Sequence, residues 1–141
     1  FGLTSSEMTR FSITLEEGVK VVDWSLKNLF GGDLVVPKIP SYHIVDLIKA
    51  MKLKNKYKIV GIRKGEKIHE EMVTSADSYN TYDIGSYYII VSDNSPLRIS
   101  QLKKRFKSCK KVKVNFSYNS KDNHNFLSIK QLIKMTKSIS I

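Results

Sequence analysis

Residues 57–72, YKIVGIRKGEKIHEEM, pass from an apolar run into a group of side chains able to do chemistry: Arg63, Glu66, His69, Glu70 and Glu71. An arginine fork matches a phosphate group bidentately, and a glycine such as Gly65 lets a ligand approach the backbone closely. Because ligands of open α/β sheets gather beyond the carboxyl ends of strands, Arg63 is predicted to bind an anion. Glu66 is predicted either to accept hydrogen bonds from sugar hydroxyls or to form a structural ion pair with Arg63.

The sequence gives little support for a metal site or a catalytic nucleophile. Glu66 and His69 form a Glu-x-x-His pair, which on a helix places two metal ligands on one face. A metal site needs three or four ligands, and no partner motif occurs elsewhere, so no metal is predicted and His69 is expected to cap or pack. No histidine and carboxylate are placed beside Cys109, so no catalytic nucleophile is predicted.

A second arginine, Arg10, precedes a predicted helix that begins at a capping box of Thr14 and Glu17. A helix N-terminus carries partial positive charge, so an arginine beside it is unfavourable unless an anion binds there or the guanidinium group points elsewhere. Arg10 is therefore either a second anion-binding residue or a solvated surface arginine.

Hydrophobic periodicity and turn residues predict alternating helices and strands, which indicates an α/β arrangement rather than a helix bundle. The apolar residues after Thr14 recur at three and four, so the first helix is expected to run from about Leu15 to Phe30 and to end in a left-handed cap at Gly31-Gly32. A surface segment without periodicity is expected at 74–81. The other predicted elements are the strands Asp33–Val36, Tyr57–Ile62 and Tyr87–Val91, a helix capped by Ser41 with an apolar face to Met51 and a polar end at 52–56, a helix over Ser100–Ser108, and a helix capped by Ser128 that runs through Met135.

The net charge of +11 raises the question of nucleic-acid binding. Of the 24 basic residues four are arginines, which leaves twenty lysines, whereas readout of bases favours the bidentate arginine fork. The densest basic run, 103–113, places Leu102, Phe106 and Cys109 at helical spacing. This pattern indicates an amphipathic helix with a basic outer face, and nucleic-acid binding is kept only as an alternative.

A length of 141 residues suits one domain, and no apolar run approaches the roughly 18 residues that span a membrane. The chain opens on Phe1 without a basic and apolar leader, so a piece of a longer, cytoplasmic protein is expected. One cysteine, Cys109, fits a reducing compartment.

Four ordered motifs resemble one family: SSEMTRFSITLEEGV (5–19), GGDLVVPKIPS (31–41), GIRKGEKIHEEM (61–72) and FSYNSKDNHNFL (116–127). The likeness runs from Phe1 to about Ile133 and is to the carboxyl-terminal half of inverting UDP-N-acetylglucosamine 4,6-dehydratases. These are extended short-chain dehydrogenases/reductases of pseudaminic acid and capsule polysaccharide biosynthesis. Related UDP-sugar 4-epimerases stay an alternative. Lys64 stands where the family commonly has proline, and Ser12 where an aromatic residue is frequent.

The resemblance implies an α/β substrate-binding part that lacks the amino-terminal Rossmann half. It implies a nucleotide-sugar-binding region over 1–94 and a helical extension of the same domain over 95–141. Arg10 and Arg63 match arginines near the nucleotide diphosphate, and Glu66 matches an acidic residue near the ribose.

The reaction of the family uses NADP or NAD, which the Rossmann half binds, so this chain alone is expected to bind no cofactor and to be inactive. The partners implied are a UDP-sugar, the Rossmann half and further copies in a homo-oligomer; neither a membrane nor nucleic acid is expected as a partner.

Overall fold

The computed structural model describes residues 2–53 and 57–138, which form two compact units. The first unit combines three stretches of chain, Phe1–Ser12, Ile39–Glu70 and Asn119–Ile141. The second unit combines Ile13–Lys38 and Glu71–Tyr118. These boundaries are those of packing, and the functional division into residues 1–94 and 95–141 stays a prediction.

Short strands and four helices alternate along the described residues, as the sequence predicts for a mixed α/β fold. The strands are β1 (Gly2–Leu3), β2 (Thr9–Phe11), β3 (Leu34–Pro37), β4 (Ser41–His43), β5 (Lys58–Ile59), β6 (Glu71–Val73), β7 (Thr81–Asp83), β8 (Tyr87–Ile90), β9 (Lys110–Lys111) and β10 (Tyr118–Asn119). The helices are α1 (Leu15–Asn28), α2 (Ile44–Ala50), α3 (Pro96–Arg105) and α4 (Ile129–Ser138), and a 3₁₀ helix spans Asp77–Asn80. No helix in the described ranges has the length and apolar character required to cross a membrane.

The first unit is built from two small strand pairs and two helices. Strand β1 runs parallel to β5, and β2 runs antiparallel to β4 with Arg10 opposite Tyr42. Helix α2 packs with α4, and the apolar core contains Leu3, Met8 and Ile48. The strand predicted over Tyr57–Ile62 is confirmed only as the two residues of β5. Of the polar end predicted for the preceding helix at 52–56, residues 54–56 lie outside the described residues.

The second unit contains an antiparallel sheet of four strands in the order β3-β8-β7-β9. Its core consists of apolar side chains from β7, β8, α3 and the adjoining loops. They are Tyr82, Ile84, Ile89, Val91 and Leu102, of which Ile89 and Leu102 are completely buried. Every strand pair in this sheet is antiparallel, whereas β1 and β5 in the first unit pair in parallel.

Helix α1 begins at Leu15 as predicted but ends at Asn28, and it packs through a different face from the expected one. The capping box is present: the Glu17 N–H donates to Thr14 Oγ1 (3.2 Å), and the Thr14 N–H donates to a Glu17 carboxylate oxygen (2.8 Å). Trp24 attaches the helix to the second unit, because its ring stacks on Tyr87 at 4.3 Å between ring centroids. Four of the five apolar residues of the predicted face are exposed and lie about half a turn from Trp24 at 100° per residue: Leu15, Val19, Val22 and Leu26. The fifth, Leu29, packs against the core of the second unit.

Two predicted helix boundaries are wrong because neighbouring residues determine the backbone differently. Ser41 does not cap α2; it lies in β4 with a buried side chain, and His43 precedes the helix without a capping hydrogen bond. Helix α3 begins at Pro96, four residues before the expected start at Ser100, because Ser95 Oγ accepts the Arg98 N–H and proline fits the first turn. The helix ends at Arg105.

The left-handed cap predicted at Gly31-Gly32 is wrong, whereas the cap predicted at Ser128 for the final helix is confirmed. Helix α1 ends before Leu29, which is extended, and only Gly32 has a left-handed conformation (φ +87°), in the turn that leads to β3. Ser128 does cap α4, because its hydroxyl oxygen accepts the Gln131 N–H and the Gln131 side chain accepts the Ser128 N–H. The segment 74–81 is a surface turn only in part, since Ser78 in its 3₁₀ helix is buried.

Candidate functional site

The tight turn after β5 places Arg63 and Glu66 at its two ends. The Glu66 N–H donates to the Arg63 carbonyl oxygen (3.1 Å), while the Arg63 N–H donates to Glu66 Oε2 (3.1 Å). Gly65 has φ +84°, a conformation that residues with a side chain rarely adopt, and no atom lies within 4 Å of where its Cβ would stand. The turn is therefore closed by its own backbone and by one carboxylate, and open space surrounds Gly65.

Glu66 is held as an anion by donors that do not belong to an arginine side chain. The buried Thr4 hydroxyl donates to Glu66 Oε2 (2.7 Å). This hydrogen bond, the Arg63 N–H and the nearby positive charges of Arg63 and Arg10 together lower the pKa of Glu66, the Thr4 bond having the largest effect. The structural ion pair between Arg63 and Glu66 does not form among the described residues.

The guanidinium group of Arg63 has no hydrogen-bonding or ion-pair partner in residues 2–53 and 57–138. The side chain belongs to an exposed residue, as do those of its neighbours Lys64 and Lys67. Its five N–H donors are thus available to a ligand, beside a carboxylate whose position is already fixed.

Arg10 is neither solvated nor free. From β2 its Nη1 donates to the carbonyl oxygens of Thr9 (2.7 Å) and Ile68 (3.0 Å), and its Nη2 donates to that of Lys67 (2.9 Å). Its Nε lies 3.3 Å from the Glu70 carboxylate. The interpretation of Arg10 as a solvated surface arginine is therefore wrong: it fastens the residues that follow Glu66 to β2.

A hydrogen-bonded network of hydroxyls continues from the same strand. Thr9 Oγ1 lies 2.8 Å from His69 Nδ1 and 2.7 Å from Ser120 Oγ, and Ser120 Oγ accepts the Glu70 N–H (2.9 Å). Thr9 is 1% exposed and Ser120 is fully buried. His69, expected to cap or pack, is thus a hydrogen-bonded member of the first unit.

Residues 1–92 match the profile of a family described as polysaccharide biosynthesis protein. The chain belongs to this polysaccharide biosynthesis family. The matched residues include Arg10, Arg63 and Glu66, and they cover most of the chain.

Curated relatives within this family confirm the resemblance seen in the motifs. The chain is 40% identical over 139 residues to the UDP-N-acetylglucosamine 4,6-dehydratase (inverting) of Campylobacter jejuni, which covers 94% of this chain and 41% of the relative. It is 35% identical over 103 residues to the UDP-glucose 4-epimerase of Rickettsia canadensis, which covers 70% of this chain and 30% of that relative. The chain spans about two fifths of the length of the dehydratases that it matches.

A solved structure shares the fold of this polysaccharide biosynthesis family member. The X-ray structure of Pen from Bacillus thuringiensis superposes with a TM-score of 0.75 over 98% of this chain and 41% of that chain, at 22% identity. This likeness confirms the predicted mixed α/β fold.

The sequence predicts three site residues, Arg10, Arg63 and Glu66, and all three lie in the first unit. Arg10 and Arg63 are both close enough to lower the pKa of Glu66. Thr4, Thr9 and Ser120 were missed, because a lone threonine or serine carries no periodicity or spacing signal. The only available signal was their position inside or beside the family motifs.

The basic run does not form the predicted amphipathic helix. Helix α3 ends at Arg105, and Lys110 and Lys111 form β9 in the second unit. An open depression there is lined by Lys103, Lys104 and Lys111 among others. Burial is the main cause that raises the pKa of the Cys109 thiol, so the cysteine is a packed residue rather than a reactive one. Among the described residues no group of three or more His, Cys, Asp or Glu side chains is arranged to hold a metal ion.

Proposed function

We propose that this chain is the nucleotide-sugar-binding part of an inverting UDP-N-acetylglucosamine 4,6-dehydratase. One observation carries the proposal: an exposed arginine without a partner stands beside a carboxylate that Thr4 and a backbone N–H already hold in place. The relatives from Campylobacter jejuni, whose names give the activity, support the identity of the ligand.

Arg63 binds the diphosphate in this proposal. A guanidinium group offers two parallel N–H donors that match two phosphate oxygens, and it stays charged at every physiological pH. Because the exposed guanidinium breaks no internal bond when it turns to a ligand, little of the binding energy is lost to rearrangement.

Glu66 binds the ribose in this proposal. Its Oε2 accepts from Thr4 and from the Arg63 N–H, so its second carboxylate oxygen is left to accept hydrogen bonds from sugar hydroxyls. Arg10 donates to three carbonyl oxygens and pairs with Glu70. One N–H of Nη2 remains, and we assign it to the diphosphate.

The nicotinamide cofactor of the family, NADP or NAD, carries the redox chemistry of the dehydratase reaction. A dinucleotide needs a glycine-rich turn between a strand and a helix. The described glycines with left-handed backbone, Gly32, Gly61, Gly65 and Gly85, stand singly and none opens a helix. The residues present do not fit the cofactor, which we assign to the part of the relatives that this chain does not match.

Helix α1 supplies an argument for the amino-terminal Rossmann half as partner. Leu15 is 87% and Leu26 is 82% exposed, and with Val19 and Val22 they form one continuous apolar face. A soluble protein rarely leaves such a face uncovered, and the relatives are more than twice as long as this chain. We assign the face to contact with that half, and a homo-oligomer of the complete protein stays a prediction.

A UDP-sugar 4-epimerase is the second candidate, because several relatives carry that name. Both enzymes bind a UDP-sugar, so the turn of Arg63 and Glu66 serves either. The two are distinguished in the complete protein by its product from UDP-N-acetylglucosamine: a dehydratase releases water and forms a 4-keto-6-deoxy sugar, whereas an epimerase forms an isomer of unchanged mass.

The binding proposal is tested by calorimetry with UDP on this chain and on this chain joined to the amino-terminal part of a Campylobacter jejuni relative. Arg63→Ala removes a charged donor, so we expect affinity to fall by about 10- to 100-fold, which corresponds to about 1.5–3 kcal/mol. Lys64→Ala is the matched control on the same exposed turn and is expected to change affinity by about twofold or less.

Failure would take either of two forms. The absence of UDP binding by both proteins would overturn the ligand, and equal affinity of wild type and Arg63→Ala would overturn the assignment of the residue. Retention on DNA that falls steeply with salt and depends on Lys103 and Lys111 would favour the nucleic-acid alternative instead.

A further inference from the structure

The hydroxyls of Thr9 and Ser120 determine which nitrogen of His69 carries its proton. Ser120 Oγ accepts the Glu70 N–H, so its own hydrogen must be donated, and Thr9 Oγ1 at 2.7 Å is the acceptor in reach. Thr9 Oγ1 then donates its hydrogen to His69 Nδ1 at 2.8 Å. In this direction each hydroxyl donates once and accepts once, and the neutral imidazole carries its proton on Nε2.

The opposite direction leaves a buried donor without an acceptor. If His69 Nδ1 donated to Thr9, one of the two hydroxyl hydrogens would have no acceptor among the described residues: that of Ser120 if Thr9 donates to Ser120, or that of Thr9 if Ser120 donates to Thr9. Ser120 is 0% exposed and Thr9 is 1% exposed, so bulk solvent does not supply the missing acceptor. The hydrogen bonds therefore form a chain with one direction, from the Glu70 backbone through Ser120 and Thr9 to the imidazole.

The network holds the residues that follow the proposed binding turn. His69 and Glu70 are fastened to β2 by Thr9 and to the loop after β10 by Ser120, whose N–H also donates to the Glu70 carbonyl oxygen (2.8 Å). Arg10 holds Lys67 and Ile68 of the same segment through their carbonyl oxygens. Four consecutive residues, 67–70, are thus fixed immediately after Glu66.

We propose that Thr9, His69 and Ser120 are positioning residues of the nucleotide-sugar site, an inference that rests on the proposed function. They act through the 67–70 segment: with that segment fixed on one side and Thr4 bonded to Glu66 on the other, the turn presents Arg63 and Glu66 in one geometry. A ligand then meets a site that is already formed, which preserves binding energy. In this arrangement His69 Nδ1 accepts the hydrogen bond from Thr9.

The first measurement needs no ligand. Nitrogen-15 NMR of the labelled 141-residue chain distinguishes the two neutral tautomers, and the His69 signals are identified against those of His43 and His124. Wild type and Thr9→Ser keep the hydroxyl and are expected to show hydrogen on Nε2. Thr9→Val keeps the shape but loses the donor, and a mixture of tautomers is expected. Hydrogen on Nδ1 in the wild type would overturn the proposal.

The second measurement is UDP affinity, on this chain and on the joined protein described above. Thr9→Val is expected to weaken binding about fivefold to tenfold, the effect of one to two hydrogen bonds, and Thr9→Ser to restore it to within about twofold. Ser41→Ala is the matched control, since Ser41 is equally buried in the first unit but bonds Asn123 rather than His69. If Thr9→Val does not fold, Ser120→Ala replaces it, with the same expected direction.

The outcomes separate this proposal from the one on which it rests. Normal UDP binding by Thr9→Val, or a loss in Ser41→Ala as large as that in Thr9→Val, overturns the positioning role and leaves Arg63 as the binding residue. If UDP binds no variant and not the wild type, the proposed function fails and the positioning role fails with it. A shifted tautomer together with weakened binding, restored by Thr9→Ser, is the result that supports it.

Discussion

The interiors of the two units differ in their balance of hydroxyl and apolar groups. The first unit buries four hydroxyl side chains, each in a hydrogen bond: Thr4, Thr9, Ser41 and Ser120. The second unit buries two hydroxyl side chains, Ser78 and Thr81, but it is centred on a cluster of five apolar side chains, with the ion pair between Arg98 and Asp33 at its margin. Candidate ligand-binding residues lie in the first unit only.

The difference indicates a division between positioning and stability. Apolar burial is favourable in any orientation, so it stabilises a fold without specifying where a particular side chain points. Hydrogen bonds between buried hydroxyls are directional and costly to leave unmade, so they specify geometry. The comparison predicts that changes in the second unit affect unfolding, whereas changes around the hydroxyl network affect ligand binding.

Arg98→Ala should give the largest loss of stability. The Arg98 guanidinium pairs with Asp33, whose side chain is fully buried, and stacks on Phe30 at 3.9 Å from its ring centroid. Its removal leaves a buried carboxylate without its partner, and the free energy of unfolding should fall by about 3–5 kcal/mol in urea denaturation.

The control for that change is Arg105→Ala on the same helix. Arg105 is exposed and donates only to the Lys27 carbonyl oxygen, so its loss should cost about 1 kcal/mol or less. Equal effects of the two substitutions would contradict the assigned role of the ion pair. Under conditions in which Arg98→Ala is folded, its UDP affinity should equal that of wild type, because Arg98 lies in the second unit.

Leu102→Ala should follow in size. Leu102 is completely buried in the apolar cluster, and removal of its side chain leaves a cavity worth about 2–5 kcal/mol of unfolding free energy. Leu97→Ala, on the same helix but 72% exposed, should change stability by about 0.5 kcal/mol or less. Thermal denaturation of both variants measures the two losses of stability. A loss in Leu102→Ala as small as that in Leu97→Ala would mean that the apolar core does not stabilise the second unit.

Thr4→Val should have the smallest effect and a distinct pH dependence. The folded protein lowers the pKa of Glu66, chiefly through the Thr4 hydroxyl, so this contribution to stability is present above the pKa of the unfolded carboxyl and is lost as pH falls through the folded pKa. The stability deficit of Thr4→Val relative to wild type should therefore be larger at neutral pH and shrink on acidification.

Urea denaturation at pH 7 and at acid values down to about pH 3 would follow the Glu66 titration. Thr4→Ser retains the hydroxyl and should behave as wild type throughout. A deficit of Thr4→Val that stays constant with pH would show that the substitution acts through packing and not through the carboxylate.

Local signals predicted the parts of the fold that local interactions determine. The capping box of Thr14 and Glu17 and the cap at Ser128 are interactions between residues three apart, and both helices begin where the sequence indicates. The prediction that Ser41 caps a helix is wrong because a serine before an apolar run is compatible with a cap or with a strand. Pairing with β2 places Ser41 in a strand. The exposed face of α1 could not be foreseen, because periodicity shows that a face is apolar and does not show what covers it.

The candidate site divides in the same way. Arg63 and Glu66 were predicted because they stand three apart in one turn and match a family motif. The contacts of Arg10 with 67–70 join residues almost sixty positions apart, and Thr9 and Ser120 are separated by 111 positions. Local spacing patterns do not relate residues so far apart in sequence, so the contacts of these side chains could not be predicted from the sequence.

The exposed apolar face of α1 also makes the behaviour of the chain in solution depend on ionic strength. A net charge of +11 keeps copies apart at low salt, where electrostatic repulsion extends over many ångströms. At about 0.15 M salt the repulsion is screened beyond about 8 Å, and Leu15 and Leu26 of different copies can then meet. We therefore expect low salt during purification to reduce self-association of this chain.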